Sequence, residues 1–376
     1  HNYLYYIYIN KMKSYLEFEK DIKGLEEELE KLKDPYNKEG LSQVDTEKIS
    51  SIQSQIDDKL KISYENLNAW QKTQVARHEE RPKAKFFIES LFSNFINLSG
   101  DRRFSEDEAV LAGFAQFEGE SVLVIGQEKG EDLDNRLKRN FGMMRPEGYR
   151  KCIRLMKLAN KFNIPIVTFI DTPGAFPSVG SETRGQAEAI ASSIECCMSL
   201  NVPIISFIIG EGGSGGAIAL ASANKVLMLE NAIYSVISPE GCASILWRDP
   251  SKSLEAAKAM KLTADELLKM KIIDEIIKEP IGGAHRNKDE IMSSTKIILK
   301  KYLLEFKNYS REEIFEQRKE KFLSIGKEGS FNIFSSTSLG ISKNNLFPSI
   351  KKVIFKFKKE ITIIIFLALI IGLFLL

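Results

Sequence analysis

Histidine is scarce in this chain: three occur in 376 residues, His1, His78 and His285. Imidazole is the commonest general acid and base, so a histidine-centred mechanism has few places to sit. Cysteine is almost as rare. Cys152, Cys196, Cys197 and Cys242 show no C-x-x-C spacing and have no histidine close in sequence, which excludes zinc-knuckle and disulfide-framework patterns. They read as buried thiols of a reducing compartment, and no metal site is expected here. Net charge is small as well. The formal value is +2, and residues 331–376 carry six lysines against one glutamate, leaving −3 for residues 1–330. A nucleic-acid partner gains no support from that balance.

The chain opens without methionine, and HNYLYYIYINK lacks the basic start and small-residue cleavage site of a signal peptide. Met12 is the expected natural start, which makes residues 1–11 an upstream or non-native extension.

Apolar and charged residues make up 43% and 28% of the chain, enough for a large core with additions. From Met12 to Asp34, Leu25, Leu29 and Leu32 recur at helical spacing among charges; DPYNKEG then breaks the pattern, and Ile49, Ile52, Ile56 and Leu60 mark a second helix. Residues 12–80 are therefore expected to be a helical hairpin that packs against something else. After Arg81-Pro82, short apolar runs at 121–126, 164–170, 202–209, 225–229 and 232–237 predict strands. Helices are predicted at 146–162, 182–200 and 214–221. Such alternation implies an α/β fold with a parallel sheet and function at the strand C-terminal ends.

Two glycine-bearing loops, DTPGAFPSVG and GEGGSGG, fall at such ends. A phosphate-binding P-loop must close on Gly-Lys-Ser/Thr, but this one runs Gly215-Gly216-Ala217. Gly210, Gly212 and Gly215 satisfy the dinucleotide spacing G-x-G-x-x-G, with Glu230 downstream as an acidic candidate. The loop nevertheless lies mid-chain, with only about ten residues before the next strand, too few for that fold's helix. Two readings remain. The glycines serve tight strand-to-helix packing, or they adopt positive φ and aim backbone N–H groups at an oxyanion, a role that needs no histidine.

RNFGMMRPEGYRKCIRLM (139–156), FIDTPGAFPSVGSETRGQAEAIA (169–191), GEGGSGGAIAL (210–220), YSVISPEGCASILW (234–247), IGGAHRN (281–287) and WQKTQVARHEERP (70–82) closely resemble the alpha subunit family of bacterial and plastid acetyl-coenzyme A carboxylase carboxyltransferase. The resemblance runs from about Met12 to Gly326. It implies a crotonase/ClpP-like spiral of strand and helix units over residues 81–326. It also implies transfer of a carboxyl group from carboxybiotin, carried on biotin carboxyl carrier protein and charged by biotin carboxylase, to acetyl-coenzyme A, giving malonyl-coenzyme A. A separate beta subunit, bearing the only zinc, would complete an α2β2 assembly. Carried over by motif, Gly215 and Gly216 would donate to the biotin ureido oxygen. Gly212, Gly213 and the Asp171, Thr172, Pro173, Gly174 turn would shape the substrate loop.

Lys129, Arg136 and Arg139 are candidates for coenzyme A phosphates. The family commonly has Tyr at Phe176 and Gly at Ser178, which removes any phenolic role there. The other reading is a crotonase-fold acyl-coenzyme A hydratase or isomerase, which needs a proton-moving carboxylate; Glu182, Glu188 and Glu240 are its candidates.

Residues 327–376 lie beyond the family's usual length. A polar linker leads to Lys351, Lys352, Lys356, Lys358 and Lys359, then to sixteen uncharged residues, Ile361 to Leu376. As a helix that run spans about 24 Å, short of the roughly 30 Å hydrocarbon core. The expectation is a cytoplasmic protein whose residues 351–376 either touch the inner membrane face or are a read-through extension.

Overall fold

The computed structural model describes residues 14–33 and 46–327. The chain falls into two units, His1–Ile325 and Gly326–Leu376, and the first is the one described below. The expected extension at 1–11 and the apolar tail lie outside the described residues.

The helices are α1 (Lys20–Lys33), α2 (Thr46–Glu65), α3 (Ala69–Ala76), α4 (Ala84–Leu91), α5 (Leu133–Lys138), α6 (Pro146–Lys161), α7 (Val179–Thr183), α8 (Gln186–Ser199), α9 (Ser214–Ala221), α10 (Pro239–Leu246), α11 (Ser253–Met260), α12 (Ala264–Lys269), α13 (Lys288–Phe306) and α14 (Arg311–Ser324). The strands are β1 (Ser93–Asn97), β2 (Val110–Phe117), β3 (Glu120–Gln127), β4 (Ile166–Thr172), β5 (Ile204–Gly213), β6 (Lys225–Leu229), β7 (Ile233–Ser235) and β8 (Glu275–Ile277). They form one sheet in the order β1-β2-β3-β4-β5-β6-β8, with β7 added beside β5. The first two pairings are antiparallel and the rest parallel. This is the mixed α/β class expected.

Every residue of β4 and of β5 is buried, as suits strands covered on both faces. Phe87 of α4, Phe169 of β4 and Phe207 of β5 stack with ring centroids 5.4 and 5.3 Å apart. Hydroxyls fix the opposite face. Thr168 Oγ1 and Ser206 Oγ both donate to the Leu220 carbonyl, at 3.2 and 2.9 Å, so the far end of α9 is fastened to the strand that precedes it. β5 also changes partner along its length, from β6 at Ile205–Ile208 to β7 at Glu211–Gly213. Its last residues thereby lie between β4 and β7 at the glycine turn.

α1 and α2 form the hairpin, packed on their own cluster of Ile22, Leu29, Ile52, Ile56 and Leu60. Arg286 joins it to the body: its guanidinium donates to Glu26 Oε1 at 2.8 Å and Glu19 Oε1 at 2.9 Å.

The helix expected at 182–200 is two helices. Gly185 takes φ +83 between them, a left-handed conformation that ends one helix and begins the next. The strand expected at 232–237 shortens to β7, and β1, β2 and β8 were not among the expected strands. Among the described residues no helix is long and apolar enough to cross a membrane.

Candidate active site

β4 and β5 run parallel, with Thr172 opposite Gly212, so the two loops singled out by sequence meet at one end of the sheet. Thr172 Oγ1 donates to the Gly174 carbonyl at 2.7 Å and accepts from the Gly174 amide at 3.2 Å, which sets the Asp171–Gly174 turn. That turn lies directly against the glycine run. A Cβ on Gly213 would stand 2.2 Å from the Pro173 oxygen, and one on Gly216 would stand 2.6 Å from the Gly174 carbonyl carbon. On Gly212 it would meet the Tyr234 ring at 2.9 Å. Gly215 differs. Its Cβ would find only Ile190, at 3.4 Å, an ordinary contact.

The expectation of positive φ at these glycines is corrected by the structure. None of the four takes it; Ser214 does, at φ +51. Close approach, not left-handed backbone, requires glycine at 212, 213 and 216. The strain falls on an exposed serine set between strand and helix, where an L-residue pays about 1–2 kcal/mol. Packing explains Gly213 and Gly216, and leaves Gly215 half-buried at the head of α9. The first N–H groups of a helix have no partner within it, and the dipole adds partial positive charge at that end. Gln127 Nε2, from β3, donates to the Gly216 carbonyl at 2.7 Å and so orients that peptide.

The turn opens on an apolar cavity of about 500 Å³, whose walls include Gly215, Ile218, Tyr234, Val236, Met260 and Met270. The other side of the β4–β5 end is ionic. Lys129 Nζ bridges Asp171 Oδ1 and Glu211 Oε2, each at 2.8 Å. Arg77 links Glu211 at 2.6 Å to Glu240 at 2.5 Å, and the Glu211 amide donates to Asp171 Oδ1 at 2.9 Å. Burial would raise the Glu211 carboxyl, but Lys129 and Arg77 overcome it and hold the group down at about 2. Burial likewise opposes the charge on Lys129, and Asp171 and Glu211 outweigh it, so its pKa is raised.

Of the three cations expected at phosphates, Lys129 is thus already matched by two carboxylates. Arg139 donates to the Glu108 carbonyl at 2.6 Å. Arg136 lines a separate polar cavity. Sequence spacing missed Arg77, Gln127 and Glu211; the first lies in WQKTQVARHEERP and the last in GEGGSGG, both quoted above, but their pairing spans 134 positions.

The departures at 176 and 178 are accommodated. Arg145 lies over the Phe176 ring at 5.0 Å, and Ser178 caps α7 by accepting from the Ser181 amide at 3.1 Å. The carboxylates a hydratase would need are not poised: Glu182 and Glu188 are exposed, and Glu240 is tied to Arg77. All four cysteines are buried and free, and burial pushes the Cys152 thiol up to about 12 and Cys196 to about 11. Such thiols are poor nucleophiles.

Glu19, His78 and His285 also come together, a ligand atom of each lying within 4.8 Å of the others. The two imidazoles stack at 3.9 Å. His78 is engaged at both nitrogens, by the Glu80 amide and the Ser14 carbonyl, and Glu19 accepts from Arg286 and Tyr64. The group fastens the hairpin.

Residues 15–326 match the family described as acetyl co-enzyme A carboxylase carboxyltransferase-like. The protein of Pelagibacter ubique named acetyl-coenzyme A carboxylase carboxyl transferase subunit alpha is 64% identical over 367 residues, covering 96% of this chain and 99% of its own. That coverage leaves about 15 residues unmatched, so most of the tail after Gly326 has a counterpart in this relative. Proteins of the same name from Agrobacterium fabrum and Zymomonas mobilis are 52% and 53% identical over 317 and 315 residues, covering 84% of this chain and 99% and 100% of their own. Among solved structures, a Pseudomonas malonate decarboxylase hetero-tetramer in complex with coenzyme A is similar at TM-score 0.49 and 14% identity, covering 60% of this chain and 89% of that one. By the family match over residues 15–326 and the three alpha subunits it resembles along most of their length, the chain belongs to the alpha-subunit family of acetyl-coenzyme A carboxylase carboxyltransferase.

Proposed function

We propose that this carboxyltransferase subunit provides the biotin-facing half of an active site that converts acetyl-coenzyme A to malonyl-coenzyme A. The observation that carries the reading is the head of α9, where Ser214 and Gly215 line an apolar cavity and Gly216 follows directly behind them. A fused bicyclic ring with one polar ureido edge fits such a place, with apolar walls for the ring and backbone donors for the oxygen. Carboxybiotin, held on biotin carboxyl carrier protein and formed by biotin carboxylase, supplies the activated carboxyl group when bound. The chain's own residues do the rest. The Gly215 and Gly216 amides donate where negative charge develops, and one such donor is typically worth about 3–4 kcal/mol in the transition state. Ile218, Tyr234 and Val236 give the cavity apolar walls, and a bound ring that fills it displaces water and so strengthens those donors. The Asp171–Gly174 turn fixes their position through contact with Gly213 and Gly216.

The acyl-coenzyme A side belongs, in this reading, to a beta subunit in an α2β2 assembly, and the zinc resides in that partner. Val236, Ile245 and Leu246 support a docked polypeptide, for they are 79%, 68% and 66% exposed on and just before α10, and grouped apolar exposure marks contact surfaces. We place the assembly in the cytoplasm, with residues 351–376 associating with the inner membrane face through their lysines and uncharged run.

The test combines the chain with a beta subunit and follows biotin-dependent loss of malonyl-coenzyme A. Gly215→Val, which leaves the Pro173 contacts intact, is expected to lower turnover by about two to three orders of magnitude while assembly persists. Turnover within a few-fold of wild type would remove the oxyanion role. Full activity without any beta subunit would remove the two-subunit reading.

A further inference from the structure

The second cavity, of about 290 Å³, lies at the C-terminal ends of β3, β4 and β5. Five cations line it, Arg77, Arg81, Lys83, Lys129 and Arg136, against two carboxylates, Asp171 and Glu211. Three of the cations are neutralised. Arg77 pairs with Glu211 and Glu240, Arg81 with Glu279, and Lys129 with Asp171 and Glu211.

Lys83 has no such match. It is only 8% exposed, and its ammonium donates to the carbonyls of Glu79 and Arg81, each at 2.7 Å. No carboxylate among the described residues forms an ion pair with it. An ammonium carries three donors, so one is left over for the cavity. Arg136 is nearly as free: it donates to the carbonyls of Gly130 and Glu79 at 3.4 and 3.3 Å, and its nearest carboxylate is exposed Glu79 at 3.7 Å.

Burying a charge without a counter-ion is costly. Here the cost is visible in Lys83, whose pKa falls to about 8 through burial, with Lys129 and Arg136 adding to the shift and Asp171 opposing it. An ammonium beside a guanidinium fork is the usual pairing for phosphate oxygens. Phe141, Met143 and Pro173 add apolar lining to the same cavity, so the space takes a larger group attached to the phosphate as well.

We propose that Lys83 and Arg136 form a binding site for a phosphate group, either free or carried on coenzyme A. The site does not rest on the carboxyl-transfer reading, because phosphate binding is its own readout.

Inorganic phosphate is titrated into the full chain by calorimetry, at an ionic strength held constant with chloride. Saturable one-to-one binding is expected, weakened about tenfold or more by Lys83→Met and by Arg136→Gln. Arg136 is partly exposed, so its variant keeps the fold even if Lys83→Met does not. Competition then identifies the source. Displacement of phosphate by coenzyme A assigns the site to the coenzyme, and phosphate binding indifferent to coenzyme A assigns it to the free anion. Absence of saturable phosphate binding, or affinity unchanged in folded Arg136→Gln, would overturn the proposal.

Discussion

Gly213 and Pro173 approach so closely that a β-carbon on the glycine would stand 2.2 Å from the proline oxygen. Gly216 stands almost as tightly against Gly174, at 2.6 Å, whereas Gly215 has room. Alanine should separate the three. Gly213→Ala and Gly216→Ala are expected to lower stability by about 1–3 kcal/mol, the usual cost of overpacking. Gly215→Ala should be neutral or slightly stabilising, since alanine favours helix over glycine by about 1 kcal/mol. Urea denaturation of the three variants checks this, and equal losses would mean that the turn tolerates none of them for some reason other than contact.

Ser214 supplies a test of opposite sign. At φ +51 a β-carbon is strained, and glycine is not. Ser214→Gly is expected to raise stability by about 0.5–1 kcal/mol, part of the relief being offset by the greater freedom of glycine in the unfolded chain. Ser214→Val should lower it, because a branched side chain is a true outlier in that region. A stabilised Ser214→Gly variant with reduced turnover would mark the strain as functional.

The central strands were legible because burial on both faces writes itself as runs such as VPIISFII. The edge strands were not. Ser93–Asn97 is mostly exposed and polar, and β8 has three residues. In β2, small Gly113 breaks the apolar pattern because a Cβ there would meet the Ile96 oxygen at 2.0 Å. The glycine turn was visible as composition, but which glycine is held by contact depends on the neighbouring loop, about forty residues earlier in the sequence. The ionic floor was hidden for the same reason. Arg77 and Glu211 are 134 positions apart, and no local periodicity reports such a pair.

Glu211 gives the acid limb of the stability profile. Its folded pKa is depressed from 4.5 to about 2, so its contribution is present above the unfolded value and is lost as pH falls from about 4.5 towards 2. The linked stability is on the order of 3 kcal/mol. Subtracting the profile of Glu211→Gln from that of the wild type isolates this group, and the difference should shrink steadily below pH 4.5. Lys129→Met should be worse than Glu211→Gln, costing about 3–5 kcal/mol at pH 7, because it leaves Asp171 and Glu211 buried beside each other without their shared cation.

Arg286 decides whether the hairpin is held by its ion pairs or by apolar contact alone. The cluster of Ile22, Leu29, Ile52, Ile56 and Leu60 closes within the hairpin, while Glu19 and Glu26 reach out to one guanidinium. Burial disfavours the charge on Arg286, and hydrogen bonding to Glu19 with the field of Glu26 outweighs it, raising its pKa. Removing it takes the bridging guanidinium from two carboxylates that are 0% and 8% exposed, a loss of about 3–5 kcal/mol. The hairpin core survives this change, so the expected result is local: in Arg286→Met, amide exchange and proteolysis should accelerate across residues 14–33 and 46–65 while β4 and β5 keep their protection. Adding Glu19→Gln and Glu26→Gln should restore much of the loss by removing the buried negative charges. Uniform loss of protection across the whole sheet in Arg286→Met would instead make the hairpin part of a single cooperative unit with the glycine turn.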